Sequence, residues 1–218
     1  MQNLPAEIYS VASVREIDRC AIEDEGIPGY SLMTKAGQAA VRSARACYPD
    51  AKRWQVVCGA GNNGGDGFVV ARLAARDGIV VSALAVVDPE KLSGDAATAY
   101  GDFAAEGGIV MPWQGELDAE AELLVDGLLG SGLERDVGGD YADAVAAMNA
   151  HPAPVMALDI PTGIHGDSGE VMGTAVAADL TVTFVGLKAG LFCAAGAEHS
   201  GKIMFDGLDV PEQCRKPK

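Results

Sequence analysis

Four short segments carry most of the side chains that could do chemistry, and each follows an apolar run. The first is GAGNNGGDG, Gly59 to Gly67, behind the run Trp54 to Cys58. It places Asn62, Asn63 and Asp66 among the glycines, Gly64 and Gly65 included. Two amides and a carboxylate bring both donors and acceptors to a strand tip. Gly59-x-Gly61-x-x-Gly64 also fits a dinucleotide fingerprint, with Asp88 near the end of the next run. That match serves simple packing almost as well, and a plain pyrophosphate turn needs none of the three polar side chains.

The second segment is LLVDGLLGSGLERD. Asp126 ends its apolar run, and Gly127, Gly130 and Gly132 keep the next loop open. Ser131, Arg135 and the amides around Gly130 suit a phosphate. Asp126 could equally be a turn aspartate and Arg135 a solvated charge. The third is PVMALDIPTGIHGDSGE. Burial of Asp159 at its strand end would raise its pKa and fit it for proton transfer. The bland reading is that Asp159 organises the Pro-Thr-Gly turn. Thr162 offers a hydroxyl and a carbonyl, and His165 reads as a surface or structural histidine. In the fourth, TVTFVGLKAGLF, Lys188 stands between Gly186 and Gly190. It suits phosphate contact or acid–base work, or else faces solvent. No serine elbow and no zinc-spaced histidine pair occurs.

The elements that must position these loops follow from periodicity. Ser13 and Glu16 have capping-box spacing ahead of a helix carrying Val14, Ile17 and Ala21, which Gly26, Pro28 and Gly29 end. A second helix spans about Ser31 to Ala46, with a stripe of Leu32, Ala36, Ala39, Ala40 and Ala44. Further helices are expected at about 68–76, 96–105 (Ser93 as N-cap) and 141–149. Strands are expected at 54–58, 79–87, 109–111, 123–126, 155–159, 180–185 and 203–205. Strands apolar on both faces, alternating with helices, predict a Rossmann-like three-layer α/β/α sandwich with a mostly parallel central sheet. Ligands in such sheets bind beyond the carboxyl ends of the strands, where all four loops fall.

The chain has 218 residues and a net charge of −15, with 49% hydrophobic and 22% charged residues. At roughly 150 residues per domain, and without a linker or repeat, a single domain over residues 1–218 is expected. The acidity argues against nucleic acid and against an anionic membrane as partners, though not against a nucleotide held by a few backbone amides. The five cysteines include no C-x-x-C pair, so neither a disulfide framework nor a zinc site is expected. No signal peptide and no membrane span is expected, and a reducing cytoplasm is the simplest location. The chain runs out in a short basic tail, Arg215, Lys216 and Lys218.

GAGNNGGDG, VDGLLGSGL, LDIPTGIHGDSGE and TVTFVGLKAGLF, with the N-terminal IPGYSLMTKAG, resemble the YjeF N-terminal domain family, the NAD(P)H-hydrate epimerases. The resemblance covers nearly the whole chain. It implies interconversion of the R and S forms of NADHX and NADPHX, nicotinamide cofactors hydrated at C6, for metabolite repair. A companion ATP- or ADP-dependent dehydratase, acting only on the S form and fused to this domain in many bacteria, would complete the repair. The resemblance further implies a potassium ion held by Asn63, Asp126 and Thr162, where the family commonly has Ser in the last position. Substrate contacts would come from Asn62, Asn63, Gly64, Gly65 and Asp66, from Gly130, Ser131, Gly132, Leu133, Glu134, Arg135 and Asp136, and from Asp159. Asp159 would be the acid–base group, with Lys188 orienting substrate or tuning it. Thr34 and Lys35 stand where many members have Glu and then Asn or Arg. A homodimer is expected. The alternatives are a non-catalytic nucleotide-binding or scaffold module of the same fold, and a dehydrogenase using the glycine fingerprint.

Overall fold

The structure, a computed structural model, describes residues 4–215; the start of the N-terminal segment and Lys216 and Lys218 of the basic tail lie outside them. β1 (Ile8–Tyr9) and α1 (Val11–Arg19) lead, through a π-turn over Cys20–Asp24, into α2 (Gly29–Cys47). Strands and helices then alternate: β2 (Arg53–Cys58), α3 (Asn62–Arg76), β3 (Val80–Ala85), α4 (Gly94–Ala105) and β4 (Ile109–Pro112). β5 (Leu123–Gly127), α5 (Asp140–Ala150), β6 (Val155–Leu158) and β7 (Leu180–Phe184) follow. The rest comprises β8 (Leu187–Lys188), α6 (Gly196–His199), β9 (Lys202–Asp206) and α7 (Glu212–Arg215). The main sheet has the order β4-β3-β2-β5-β6-β7-β9, and every neighbouring pair in it is parallel.

Alternation along the strands separates two cores. Val56, Val125 and Met156 point to one face, packed against α2, α3 and α4. Val57, Leu124 and Ala157 point to the other, where α5 contributes Ala144, Val145 and Met148. Helices thus cover both faces, as the doubly apolar strands require. The small-residue stripe of α2 is buried as expected. A Cβ on Gly37 would stand 2.5 Å from Val69, so α2 and α3 approach too closely for any side chain there.

Several expectations need correcting. The first helix is capped by Ser10, whose Oγ accepts from Ser13 N–H at 3.1 Å, and not by a Ser13–Glu16 box. Gly29 opens α2 instead of ending its predecessor. The short parallel pair β1–β8 has no periodic signature and was not expected. The largest difference is the glycine loop, whose second half is helix: α3 begins at Asn62. Low glycine propensity predicts a loop, but here absence of Cβ lets the helix seat tightly. A Cβ on Gly64 would meet Gly59 O at 2.1 Å, and one on Gly67 would meet Cys58 Sγ at 2.9 Å.

The cysteines also depart from expectation. Cys20 and Cys214 form a disulfide across 194 residues, joining the π-turn to α7. Spacing rules see local pairs and miss a bond closed only by the fold. Cys47, Cys58 and Cys193 are free. Among the described residues no helix is long and apolar enough to cross a membrane.

Candidate functional site

The loops after β2, β5, β6 and β7 converge on a cavity of about 890 Å³ at the carboxyl edge of the sheet. That volume falls within the roughly 300–1,000 Å³ of small-molecule sites. Asn62, Asn63, Asp66, Gly130, Ser131, Gly132, Leu133, Glu134, Arg135, Asp159 and Lys188 all line it. The four sequence segments thus meet.

Asp159 directly follows β6 and adopts φ 67°, a left-handed conformation unusual for a side chain and often held at functional sites. Its Oδ1 lies 2.5 Å from Lys188 Nζ, and its Oδ2 accepts from Ser131 N–H at 2.8 Å. Lys188 is almost wholly buried, which excludes the solvent-facing reading. Its ammonium also donates to Phe184 O (2.8 Å) and Thr183 Oγ1 (3.2 Å), so each of its three protons has an acceptor. Burial pushes the Asp159 carboxyl up, but the Lys188 charge and the hydrogen bonds to Lys188 and Ser131 outweigh it. The pKa therefore lies below the usual carboxylate range. Sequence reasoning expected the opposite direction because burial is visible in an apolar strand and the partner lysine is not.

Beneath the cavity floor, Asp126 is fully buried. Its Oδ2 accepts from Thr162 N–H (2.8 Å), and its Oδ1 accepts from Leu128 N–H (3.1 Å) and lies 2.7 Å from Thr162 Oγ1. Thr162 Oγ1 in turn accepts from Leu129 N–H at 2.9 Å. Burial raises the Asp126 pKa to about 6 despite these donors. No lysine, arginine or histidine forms a salt bridge with Asp126 among the described residues. Nearby, Asn63 has both side-chain polar atoms buried without a hydrogen-bond partner. An orphaned amide oxygen, a buried carboxylate and a threonine make an all-oxygen donor set, which fits a hard cation and would suit a soft metal poorly.

α3 begins with Gly61 as a cap that offers no side chain, so the first amides, at Asn62 and Asn63, lack helical acceptors next to the cavity. The loop Gly130–Arg135 faces them across it. Gly64 and Gly65 pack inside the fold instead of lining the cavity, and Asp136 also stands outside its lining. Asp126 and Thr162 stand outside the lining and bond to the backbone of Leu128 and Leu129, which belong to it. His165 is structural: its Nδ1 accepts from Ser168 N–H at 3.1 Å. Asp88 caps a short 3₁₀ turn and is absent from the cavity, which removes the acidic partner the dehydrogenase reading needs. Thr34 and Lys35 bond to Tyr30 O and Leu208 O, while their neighbours Leu32, Met33 and Ala36 line the wall.

Some of the lining escaped sequence reasoning. Asp18 and Arg15 of α1, Ile22 of the π-turn and Leu208 near the C-terminus all face the cavity. No sequence signal singles Asp18 out, because neighbouring positions on a helix do not share a face and the buried Ile17 says nothing of its own side chain. Asp66 and Asp18 both have raised pKa values, through burial first and then the charge of Asp159.

An open parallel sheet with a polar cavity at its carboxyl edge and an uncovered helix N-terminus defines a doubly wound, small-ligand α/β domain. The chain belongs to the YjeF-related protein N-terminus family, which it matches over residues 29–190. The Coxiella burnetii "Bifunctional NAD(P)H-hydrate repair enzyme Nnr" is 42% identical over 205 residues, covering 94% of this chain and 42% of that protein. The Escherichia coli protein of the same name is 38% identical over 208 residues, covering 95% and 40%. The Rhodopirellula baltica "NAD(P)H-hydrate epimerase" is 39% identical over 204 residues, covering 91% of this chain and 82% of that protein. A solved yeast structure shares the fold, with a TM-score of 0.83 at 19% identity, covering 95% of this chain and 91% of that one. The chain spans about two-fifths of the length of the bifunctional relatives.

Proposed function

We propose that the chain is an NAD(P)H-hydrate epimerase, interconverting the R and S forms of NADHX and NADPHX. Family membership and the match to an epimerase along most of its length support this reading. The observation that carries it is Asp159: a carboxylate held ionised by Lys188 and pinned at both oxygens on the cavity wall.

The chemistry follows from the substrate. The C6 hydroxyl, once protonated, leaves as water while the ring nitrogen's lone pair forms an iminium. Water then adds from the other face and loses a proton. Asp159 is placed to accept that proton, and its charge stabilises the cation. Lys188 orients Asp159 and keeps it ionised. The amides of Asn62 and Asn63 and the Gly130–Arg135 loop would hold the pyrophosphate and ribose.

Asn63, Asp126 and Thr162 would hold a potassium ion. Bound there, the ion supplies a fixed positive charge that neutralises Asp126 and stiffens the loops around it. The protein would act with an S-specific dehydratase, as the names of the bifunctional relatives suggest. Location with the cytoplasmic cofactor pool, argued from the substrate and not from the cysteines, and a homodimer complete the proposal. Neither nucleic acid nor membrane is a partner in it.

The deciding experiment mixes the protein with an S-specific dehydratase and the R hydrate. Consumption of the R form should accelerate in proportion to added protein. An unaltered rate would sink the assignment.

A further inference from the structure

Inversion at C6 needs water to leave one face of the ring and arrive on the other. One carboxylate cannot serve both faces if it cannot swing. Asp159 cannot: Lys188 holds Oδ1, Ser131 N–H holds Oδ2, and its backbone is fixed at the end of β6. These two donors and the Lys188 charge also keep it ionised, which makes it a base. The proton donor must come from elsewhere on the cavity wall.

Asp18 fits that need. It reaches the cavity from α1, an element outside the main sheet, and it is half-buried. No hydrogen bond or ion pair engages its carboxylate among the described residues, although Asp159 and Lys188 act on it electrostatically. An unpartnered carboxyl in a cavity wall is costly for a fold and informative about a site. We propose that Asp18 is the second proton-handling residue of this cavity, giving its proton to the departing C6 hydroxyl while Asp159 takes one from the incoming water. This rests on the epimerase reading.

The step balances. The C6–O bond breaks as Asp18 protonates the oxygen, and the nitrogen lone pair forms the C=N bond. Addition of water re-forms C6–O, returns that pair to nitrogen, and leaves a proton on Asp159. The cycle ends with Asp18 ionised and Asp159 protonated, and exchange with solvent restores both. Partial exposure of Asp18 provides that route.

Burial, moderated by Lys188 and reinforced by Asp159, lifts Asp18 to about 6, whereas Asp159 is lowered. Two carboxyls pushed apart in this way are the mark of an acid–base pair. Asp95 and Arg135 share the cavity wall with Asp18. Asp66 faces the cavity from α3. On α1, Arg15 pairs with Glu134, and Arg19 with Glu16, Glu23 and Asp24. On α7, which packs on α1, Arg215 is engaged by the Val185 and Gly207 carbonyls, and Glu212 is exposed. At β1, the Tyr9 hydroxyl is bonded to Glu7.

The test is the pH dependence of kcat for R-to-S conversion in the wild type, Asp18→Asn, Asp18→Glu and Asp66→Asn, with melting curves confirming folding. The wild type should lose rate as pH rises through the titration of its acid. Asp18→Asn should fall about 10²-fold or more in kcat with KM within about threefold, and should lack that alkaline limb. Asp18→Glu should restore both the limb and much of the rate. Asp18→Asn with a kcat within about threefold of wild type would overturn the proposal, as would a slow Asp18→Asn that keeps the limb. Loss of the limb in Asp66→Asn but not in Asp18→Asn would overturn it too. Absence of epimerisation by the wild type overturns the function and this assignment together.

Discussion

Lys188 Nζ and Asp159 Oδ1 stand 2.5 Å apart, on segments joined by the parallel pairing of β6 with β7. The lysine cannot be removed without leaving a buried charge behind. Lys188→Met should therefore lower unfolding free energy at pH 7 by about 3–5 kcal/mol, read by urea denaturation. The pH sign is fixed by the direction of the Asp159 shift. Its folded pKa is below its unfolded value of 3.8, so its contribution is present above that value and lost as pH falls. In Lys188→Met burial pushes the same carboxyl up, so the gap between wild type and variant should narrow as pH falls from that raised value towards the lowered wild-type one. A gap independent of pH would contradict the pairing.

Asp159→Asn keeps the shape and removes the base. Epimerisation should fall by about 10²–10⁴-fold, measured by separating the two hydrates over time. Near-full activity in this variant would refute the role of Asp159.

Potassium should stabilise the protein. Melting in a potassium salt should exceed that in a tetramethylammonium salt of equal ionic strength, by up to about 2.7 kcal/mol at one hundred times the dissociation constant. Asp126→Asn should abolish the difference. Equal melting of the wild type in both salts would count against Asn63, Asp126 and Thr162 as ligands.

A Cβ at Gly130 would stand 2.9 Å from Asp159 Oδ2 and 3.5 Å from the Asn63 side chain. Gly130→Ala should displace the carboxylate. A shift of about 1 Å can cost roughly 10²-fold in rate, so kcat should drop well before stability does. Wild-type kcat in Gly130→Ala would show that Asp159 tolerates displacement.

Cys214→Ser should cost about 2–4 kcal/mol, because the lost bond closes a loop nearly as long as the chain. Denaturation of the wild type with and without a reducing dithiol checks this independently. If neither treatment lowers stability, the Cys20–Cys214 bond does not support the fold.

Much of the arrangement was legible because strands buried on both faces announce a parallel sheet, whose carboxyl edge is a fixed address for loops. That logic places Asn63, Asp159 and Lys188 at one sheet edge from the sequence alone. What stayed hidden depends on long-range pairing. The lowered pKa of Asp159 is set by a lysine from another strand's end. The helical start at Asn62 is set by Gly59 O, Cys58 and their neighbours. Asp18 joined the site only because α1 folds across the cavity, and nothing in its own helix spacing separates it from a surface acid.

The exclusively parallel pairing of the main sheet has a kinetic corollary. Each strand must await a crossover, so closing the long loops precedes the contacts that reward it. Residues 18, 63, 126, 159 and 188 come from five separate stretches of chain, and no contiguous fragment holds them together. Refolding should recover the far-ultraviolet dichroism of its helices early and epimerisation late, in one step. Enzyme activity would then serve as the reporter of the finished topology.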